Sequence, residues 1–157
     1  MSSLARALAQ VGRRSDTTIL FPVHLSPEVR KAVVPALQGV PGVILREPLD
    51  YLDMVRALLW CDLVVTDSGG VQEEAPTFGR PVLVVREATE RPEAVLAGVA
   101  RVVGTDSTRL VEEVERLLDD ERAYAEMARV VSPFGDGHAA ERIVARLGLR
   151  NGQLVGA

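Results

Sequence analysis

Apolar and polar residues follow one another along this chain in blocks that change between two periods. Short runs that are apolar on both faces predict strands, and the segments between them show the three- and four-residue spacing of helices. The predicted strands lie at 17–23, 43–46, 62–66, 81–86 and 99–103. Strands that are buried on both faces and alternate with helices are typical of a parallel sheet covered on both sides, so the pattern predicts an α/β fold.

The helical spacing also places the helices and one inward face. The predicted helices cover 2–12, 27–38, 48–60, 70–79, 91–97, 108–118 and 121–130, with a last one from 136 or 137 to 147. Ser26 is expected to cap the second helix. The third helix is expected to face the core with five residues: Tyr51, Leu52, Val55, Leu58 and Leu59. Residues 1–150 are expected to form a single domain, followed by a frayed tail at 151–157.

The most informative chemistry follows the strand at 62–66. The chain there passes through Ser68, Gly69 and Gly70 into a helix, an arrangement that offers backbone N–H groups to a phosphate. The alternative is a glycine turn that only begins a helix. Glu74 lies one turn into that helix, and its carboxylate can accept hydrogen bonds from two ribose hydroxyls. The alternative for Glu74 is a first-turn glutamate favoured by the helix dipole.

Two further side chains follow strands at the carboxyl edge of the predicted sheet, where ligands of such folds bind. Arg91 comes after the strand at 81–86, and its guanidinium suits a phosphate or a carboxylate. Its alternative is an internal ion pair with a nearby glutamate, namely Glu90, Glu93 or Glu74. His24 comes after the strand at 17–23, and an exposed loop histidine is an equal alternative.

Composition limits the function classes. With 157 residues and a net charge of −4, the chain is expected to be one domain that does not bind nucleic acid. The single cysteine, Cys61, excludes an intrachain disulfide, and His24 and His138 lack metal-ligand spacing. Because no apolar run approaches the roughly 18 residues of a membrane span, a cytoplasmic protein without membrane contact is expected.

Beyond these local patterns, a long stretch of the chain resembles one family. The segments TDSGGVQEEAPTFGRPVLVVREATERPEA (66–94), AGVARVVGTD (97–106) and SPFGDGHAAERI (132–143) resemble the non-hydrolysing UDP-N-acetylglucosamine 2-epimerases. The resemblance implies a Rossmann-like parallel sheet flanked by helices, the C-terminal half of a GT-B-type two-domain fold. It also implies that no metal or redox cofactor is needed.

The resemblance assigns roles to the candidate residues. The family interconverts UDP-N-acetylglucosamine and UDP-N-acetylmannosamine by eliminating and re-adding UDP. By this resemblance the diphosphate contacts Ser68, Gly69 and Gly70, the ribose contacts Glu74, and Arg91 belongs to the same ligand site. His24 matches a histidine associated with a second, activating UDP-N-acetylglucosamine. In the uracil segment, Leu49 and Met54 stand where the family has a glutamine and an aromatic residue.

The resemblance also implies parts that this sequence lacks. The first strand of the domain, which is central in the sheet, and the N-terminal domain with the acid/base carboxylates are both unmatched, so no catalytic residue is expected here. The strands at 17–23 and 62–66 should flank the empty place. We therefore expect them to close up or to be joined by another segment, through a homo-oligomer or a missing N-terminal half. The alternative function is a non-catalytic UDP-binding module or half of a split enzyme.

Overall fold

The computed structural model describes residues 2–147, 149–150 and 153–154. The strands are β1 (Ile19–Pro22), β2 (Val43–Arg46), β3 (Val64–Thr66), β4 (Val82–Val84), β5 (Ala100–Val102), β6 (Leu149–Arg150) and β7 (Gln153–Leu154). The helices are α1 (Ser2–Val11), α2 (Pro27–Leu37), α3 (Tyr51–Trp60), α4 (Gly69–Glu74), a 3-10 helix (Ala75–Phe78), α5 (Pro92–Leu96), α6 (Ser107–Asp119), α7 (Glu121–Met127) and α8 (Ala139–Arg146).

All five strands of the main body run parallel, which confirms the predicted α/β fold. They form two sheets, β1–β2 with Ile19 opposite Val43, and β3–β4–β5 with Val64 opposite Val82. The short strands β6 and β7 pair antiparallel with each other. The other residues of the tail at 151–157, which is expected to be frayed, lie outside the described residues.

The seam between the two sheets is open. In the described part of the chain, β1 pairs with β2 alone and β3 pairs with β4 alone, so the strands have not closed into one continuous sheet. Helix α1 crosses this seam, because it packs against both α2 and α6. Its Leu4 and Val11 share a core cluster with Leu83 of β4, and its Ala5 and Ala9 pack in the cluster beneath β1 and β2.

Helix α3 corrects one prediction about the core. It begins at Tyr51 because the Asp50 carboxylate accepts a hydrogen bond from the Asp53 N–H at 2.8 Å. Of the five residues expected to face inward, Leu58 is buried and Val55 is half-buried, as predicted. Tyr51, Leu52 and Leu59 are exposed, so the prediction is wrong for these three. The helix lies against the 3-10 helix, and its Leu58 packs in the cluster of Val64 and Val82, so only a narrow stripe of it is covered.

Helix ends agree with the sequence in part. Helix α2 begins at Pro27 as expected, but the Ser26 side chain makes no capping hydrogen bond, so that prediction is wrong. Helix α6 is capped by Asp106, whose carboxylate accepts from the N–H groups of Thr108 and Arg109. Along the described residues, no helix is both long and apolar enough to cross a bilayer.

Candidate functional site

The turn after β3 is built from short polar contacts. Strand β3 ends at Thr66, and the Thr66 hydroxyl accepts a hydrogen bond from the Ser68 N–H at 3.0 Å. This contact holds the turn and leaves the Ser68 hydroxyl free of any helix-capping bond. Ser68 and Gly70 are exposed and Gly69 is partly exposed, so the turn presents its backbone to solvent at the carboxyl edge of the sheet.

Within the described residues, the fold does not require glycine at either position of this turn. Neither Gly69 nor Gly70 has a positive φ. A Cβ at Gly70 would meet nothing within 4 Å, and one at Gly69 would lie 3.5 Å from Nη2 of Arg91, an ordinary contact. In a helix glycine costs about 0.8–1.0 kcal/mol relative to alanine. The missing side chains therefore leave room for something other than this chain.

Arg91 lies over the turn. It precedes α5, and its Nη2 approaches Gly69 as just described. Its Nε forms an ion pair with Glu73, and its Nη1 donates to the Glu90 carbonyl oxygen at 3.1 Å. The sequence proposed Glu90, Glu93 or Glu74 as the internal carboxylate partner, and the structure instead shows Glu73. About two thirds of the Arg91 side chain is covered. Its Nη2 has no hydrogen-bond acceptor among the described residues.

Glu74 lies on the same short helix, one turn after Gly70. It is half-buried, and its carboxylate makes no hydrogen bond or ion pair within the described part of the chain. The adjacent Glu73 is held by Arg91, so the two neighbouring carboxylates differ in availability. Glu74 is the acceptor that remains open to a ligand beside the turn.

Sequence reasoning missed the residues that tie the Arg91 loop to α4. Gln72 is buried, with 1% of its surface exposed, and its Oε1 accepts a hydrogen bond from the Thr89 hydroxyl at 2.5 Å. Thr89 in turn accepts from the Arg91 N–H at 3.0 Å. The only signal in the sequence was a glutamine one residue before Glu73, at the start of the helix that follows the turn.

His24 is exposed and lies just after β1, separate from the turn in every polar contact of the described residues. Its Nδ1 accepts a hydrogen bond from the Ser26 N–H at 3.1 Å, which leaves Nε2 to carry the proton of the neutral ring. His138 is exposed and pairs with Glu141. The fold thus brings Ser68, Gly69, Gly70, Glu74 and Arg91 together and leaves His24 on its own loop.

The segment expected to meet a base is partly committed to the core. Met54 packs against the cluster beneath β3 and β4, and Leu49 is half-buried in the loop before α3. Cys61 packs against the same cluster, and burial raises the pKa of its thiol, so it behaves as a small apolar residue. A cavity of about 400 Å³ lies at the neighbouring strand ends, lined by Glu87, Gly104 and Arg109 among others, and touches none of the candidate residues.

The family model and the relatives that match this chain carry the same description. A family model described as UDP-N-acetylglucosamine 2-epimerase matches residues 1–148. A UDP-N-acetylglucosamine 2-epimerase of Escherichia coli (strain K12) is 51% identical over 145 residues, which are 92% of this chain and 39% of that protein. A putative UDP-N-acetylglucosamine 2-epimerase of Thermotoga maritima is 44% identical over 145 residues, 92% of this chain and 38% of its own length.

Solved structures agree in fold. The chain is similar to a UDP-GlcNAc 2-epimerase from Neisseria meningitidis bound to UDP-GlcNAc, with a TM-score of 0.89 and 37% identity over 93% of this chain and 40% of that one. It is also similar to a Staphylococcus aureus protein solved with UDP, with a TM-score of 0.87 and 38% identity over 94% and 40% of the two chains. The chain therefore spans about two fifths of the length of the relatives it matches.

Proposed function

The chain belongs to the UDP-N-acetylglucosamine 2-epimerase family, and from that membership we propose that it is the UDP-binding part of an enzyme that interconverts UDP-N-acetylglucosamine and UDP-N-acetylmannosamine. One observation carries the proposal: the turn holds two glycines without positive φ, of which Gly69 lies beneath the Nη2 group of Arg91 and Gly70 faces open space. The names of the relatives favour an epimerase over a separate binding module. The cytoplasmic location expected from the sequence stays a prediction.

The proposed site places UDP across α4. The diphosphate lies on the exposed turn at Ser68, Gly69 and Gly70, where backbone N–H groups and the Ser68 hydroxyl donate to its oxygens. Arg91 adds Nη2, the one guanidinium nitrogen that no described residue engages. Glu74, whose carboxylate accepts nothing from the described chain, receives the ribose hydroxyls.

The same groups supply the electrostatics of the reaction. A base removes the proton from C2 of the sugar, the anomeric C–O bond breaks, and its electron pair leaves with UDP, giving 2-acetamidoglucal. Arg91 and the turn amides stabilise the negative charge that forms on UDP and keep UDP in place for re-addition. Re-addition returns a proton to the opposite face of C2. Both proton transfers need a positioned acid and base, and we assign neither to this chain.

A second nucleotide sugar is proposed at His24. The histidine is exposed at the carboxyl end of β1, where ligands of parallel sheets bind, and no group within the described residues forms a hydrogen bond with the Nε2 of its ring. It is therefore a candidate contact for an activating UDP-N-acetylglucosamine, distinct from the UDP held by Arg91.

The open seam is the proposed place of a further strand. Ile19 and Val23 donate their N–H groups to the β2 side, so Leu20 between them directs its backbone groups toward the seam. Val64 donates toward β4, so Val65 likewise faces the seam from β3. Two unpaired parallel edges bridged by α1 fit one extended apolar segment, and we propose that the remaining part of the enzyme supplies it.

Complementation tests this assignment. The purified chain is assayed for conversion of UDP-N-acetylglucosamine, alone and after co-expression with the remainder of the Escherichia coli relative. We expect no conversion by the chain alone and measurable conversion by the pair. Conversion by the isolated chain would show that a base lies within it. A stable homo-oligomer of the isolated chain, seen by light scattering, would instead place a second copy at the seam.

Calorimetric titration with UDP tests the site itself. We expect saturable binding by the chain, and at least a tenfold loss of affinity in Glu74→Ala because a hydrogen-bonded carboxylate contributes about 1.5–3 kcal/mol. Glu93→Ala is the matched control, since Glu93 is an exposed glutamate on the adjacent α5. Equal affinity in both variants would remove Glu74 from the site.

A further inference from the structure

Gln72 is the buried polar side chain of the region that the structure describes, and its burial has a cost. It sits in α4, directly before the glutamate that holds Arg91, and is 1% exposed. An amide taken out of water destabilises the fold unless its hydrogen bonds are restored. Its partner comes from the loop after β4, where the Thr89 hydroxyl donates to Oε1 at 2.5 Å. The helix and that loop are therefore joined by a partly buried hydrogen bond.

Thr89 extends this contact to Arg91. The same hydroxyl oxygen accepts from the Arg91 N–H at 3.0 Å, so one atom joins the Gln72 amide to the Arg91 backbone. The Arg91 side chain is then fixed at Nε by Glu73 and at Nη1 by the Glu90 carbonyl. With its backbone and two of its three nitrogens held, Arg91 has only Nη2 directed at the turn.

We propose that Gln72 and Thr89 are positioning residues that hold Arg91 in place for the diphosphate of UDP. The proposal rests on the proposed UDP site and adds two residues that touch no ligand. A long arginine loses side-chain entropy when it is fixed by a ligand. The Gln72–Thr89 contact holds the backbone of Arg91 where Glu73 and the Glu90 carbonyl can hold its side chain. Because Arg91 is ordered before UDP arrives, less side-chain entropy is lost on binding.

The test uses the pair Thr89→Val and Thr89→Ser. Valine keeps the shape of threonine but lacks the hydroxyl, whereas serine keeps the hydroxyl. We expect UDP affinity, measured by calorimetry, to fall at least tenfold in Thr89→Val and to stay within about threefold of the wild type in Thr89→Ser. Should Thr89→Val not fold, Gln72→Met replaces the buried acceptor with an apolar side chain of similar length, and the same tenfold loss is expected.

A double-mutant cycle separates positioning from simple stability. In an Arg91→Gln background, Thr89→Val should cause no further loss of UDP affinity, because the residue that it positions is already gone. The same loss in both backgrounds would show that Thr89 acts independently of Arg91 and would overturn the proposal. Unchanged affinity in Thr89→Val would overturn it as well.

A readout without UDP keeps the two proposals distinguishable. The Arg91 Nε–H resonance reports the contact with Glu73, and it should shift in Thr89→Val and remain unchanged in Thr89→Ser. If the wild type bound no UDP, the proposed function would be rejected, and this resonance would still decide the positioning. A resonance that is identical in all three proteins would reject the positioning of Arg91.

Discussion

Replacing Gly70 by alanine should raise stability and weaken UDP binding at the same time. Gly70 lies in the first turn of α4, has no positive φ, and has open space where its Cβ would be. Alanine is preferred over glycine in helices by about 0.8–1.0 kcal/mol. For a chain of this length, 1 kcal/mol corresponds to about 2–4 °C in Tm. Gly70→Ala should therefore melt up to about 2–4 °C above the wild type.

The opposite sign is expected for the ligand. The added methyl group enters the space in which we propose that the diphosphate approaches the turn. Overpacking of this kind costs about 1–3 kcal/mol, which corresponds to roughly 5- to 150-fold in affinity. Differential scanning fluorimetry gives the first quantity and calorimetry with UDP the second.

Gly135→Ala is the control for glycine replacement as such. Gly135 has a φ of 130° and lies in the exposed turn before α8, so alanine there should lower Tm and leave UDP affinity unchanged. If Gly70→Ala bound UDP as tightly as the wild type, the space above the turn would not be the diphosphate site. A lower Tm in Gly70→Ala would contradict the reasoning from the open Cβ position.

Three other outcomes follow from the structure. Gly42→Ala should destabilise the fold by about 1–3 kcal/mol in urea unfolding, because its Cβ would lie 2.3 Å from the Gly12 carbonyl oxygen. Unchanged stability would contradict the close approach of these two segments. Leu83 is fully buried in β4, so Leu83→Ala should lower the free energy of unfolding by about 2–5 kcal/mol in the same assay. A loss below about 1 kcal/mol would mean that neighbouring side chains fill the cavity. Hydrogen bonds from Arg142 lower the pKa of Asp136 below its ordinary value of 3.8. The contact therefore stabilises the turn before α8 fully above pH 3.8. This stabilisation is lost as the pH falls through the lowered pKa of the folded protein. When the Asp136 carboxyl is titrated by NMR, its midpoint should lie below 3.8 in the wild type and return toward 3.8 in Arg142→Gln. Equal midpoints in the two proteins would contradict the role of Arg142.

The strands were predictable because each is a run of apolar residues between polar turns. Val82, Leu83 and Val84 are all fully buried, which is why no alternation marks them in the sequence. The strands are shorter than predicted because pairing stops where the neighbouring strand stops. The Val85 N–H still donates to the Thr66 carbonyl oxygen, but β3 ends at Thr66 and offers no further partner.

Helix α3 shows why a pattern can mislead about the core. Tyr51, Leu52 and Leu59 have the spacing of an inward face, yet all three are exposed. Periodicity tells which residues share a face and says nothing about what covers it. Gly135 and Gly137, in the turn before α8, both have a positive φ, a conformation that glycine adopts without a steric cost.

The candidate site also contains features that the sequence predicts and features that it does not. Ser68, Gly69, Gly70 and Glu74 lie within one continuous segment, so their neighbourhood follows from local structure. The Arg91–Glu73 ion pair joins two segments across the sheet edge, and several glutamates were equally near in sequence. The burial of Gln72 depends on the loop after β4 folding back over α4, which no local pattern encodes.

The most direct test of the central claim is a map of backbone amide shifts on adding UDP to the isotopically labelled chain. We expect the largest shifts at Ser68, Gly69 and Gly70, a second group at 89–91, and saturation of both groups with one affinity. Shifts confined to the cavity at Gly104 and Arg109, or no saturable shift with UDP, would contradict it.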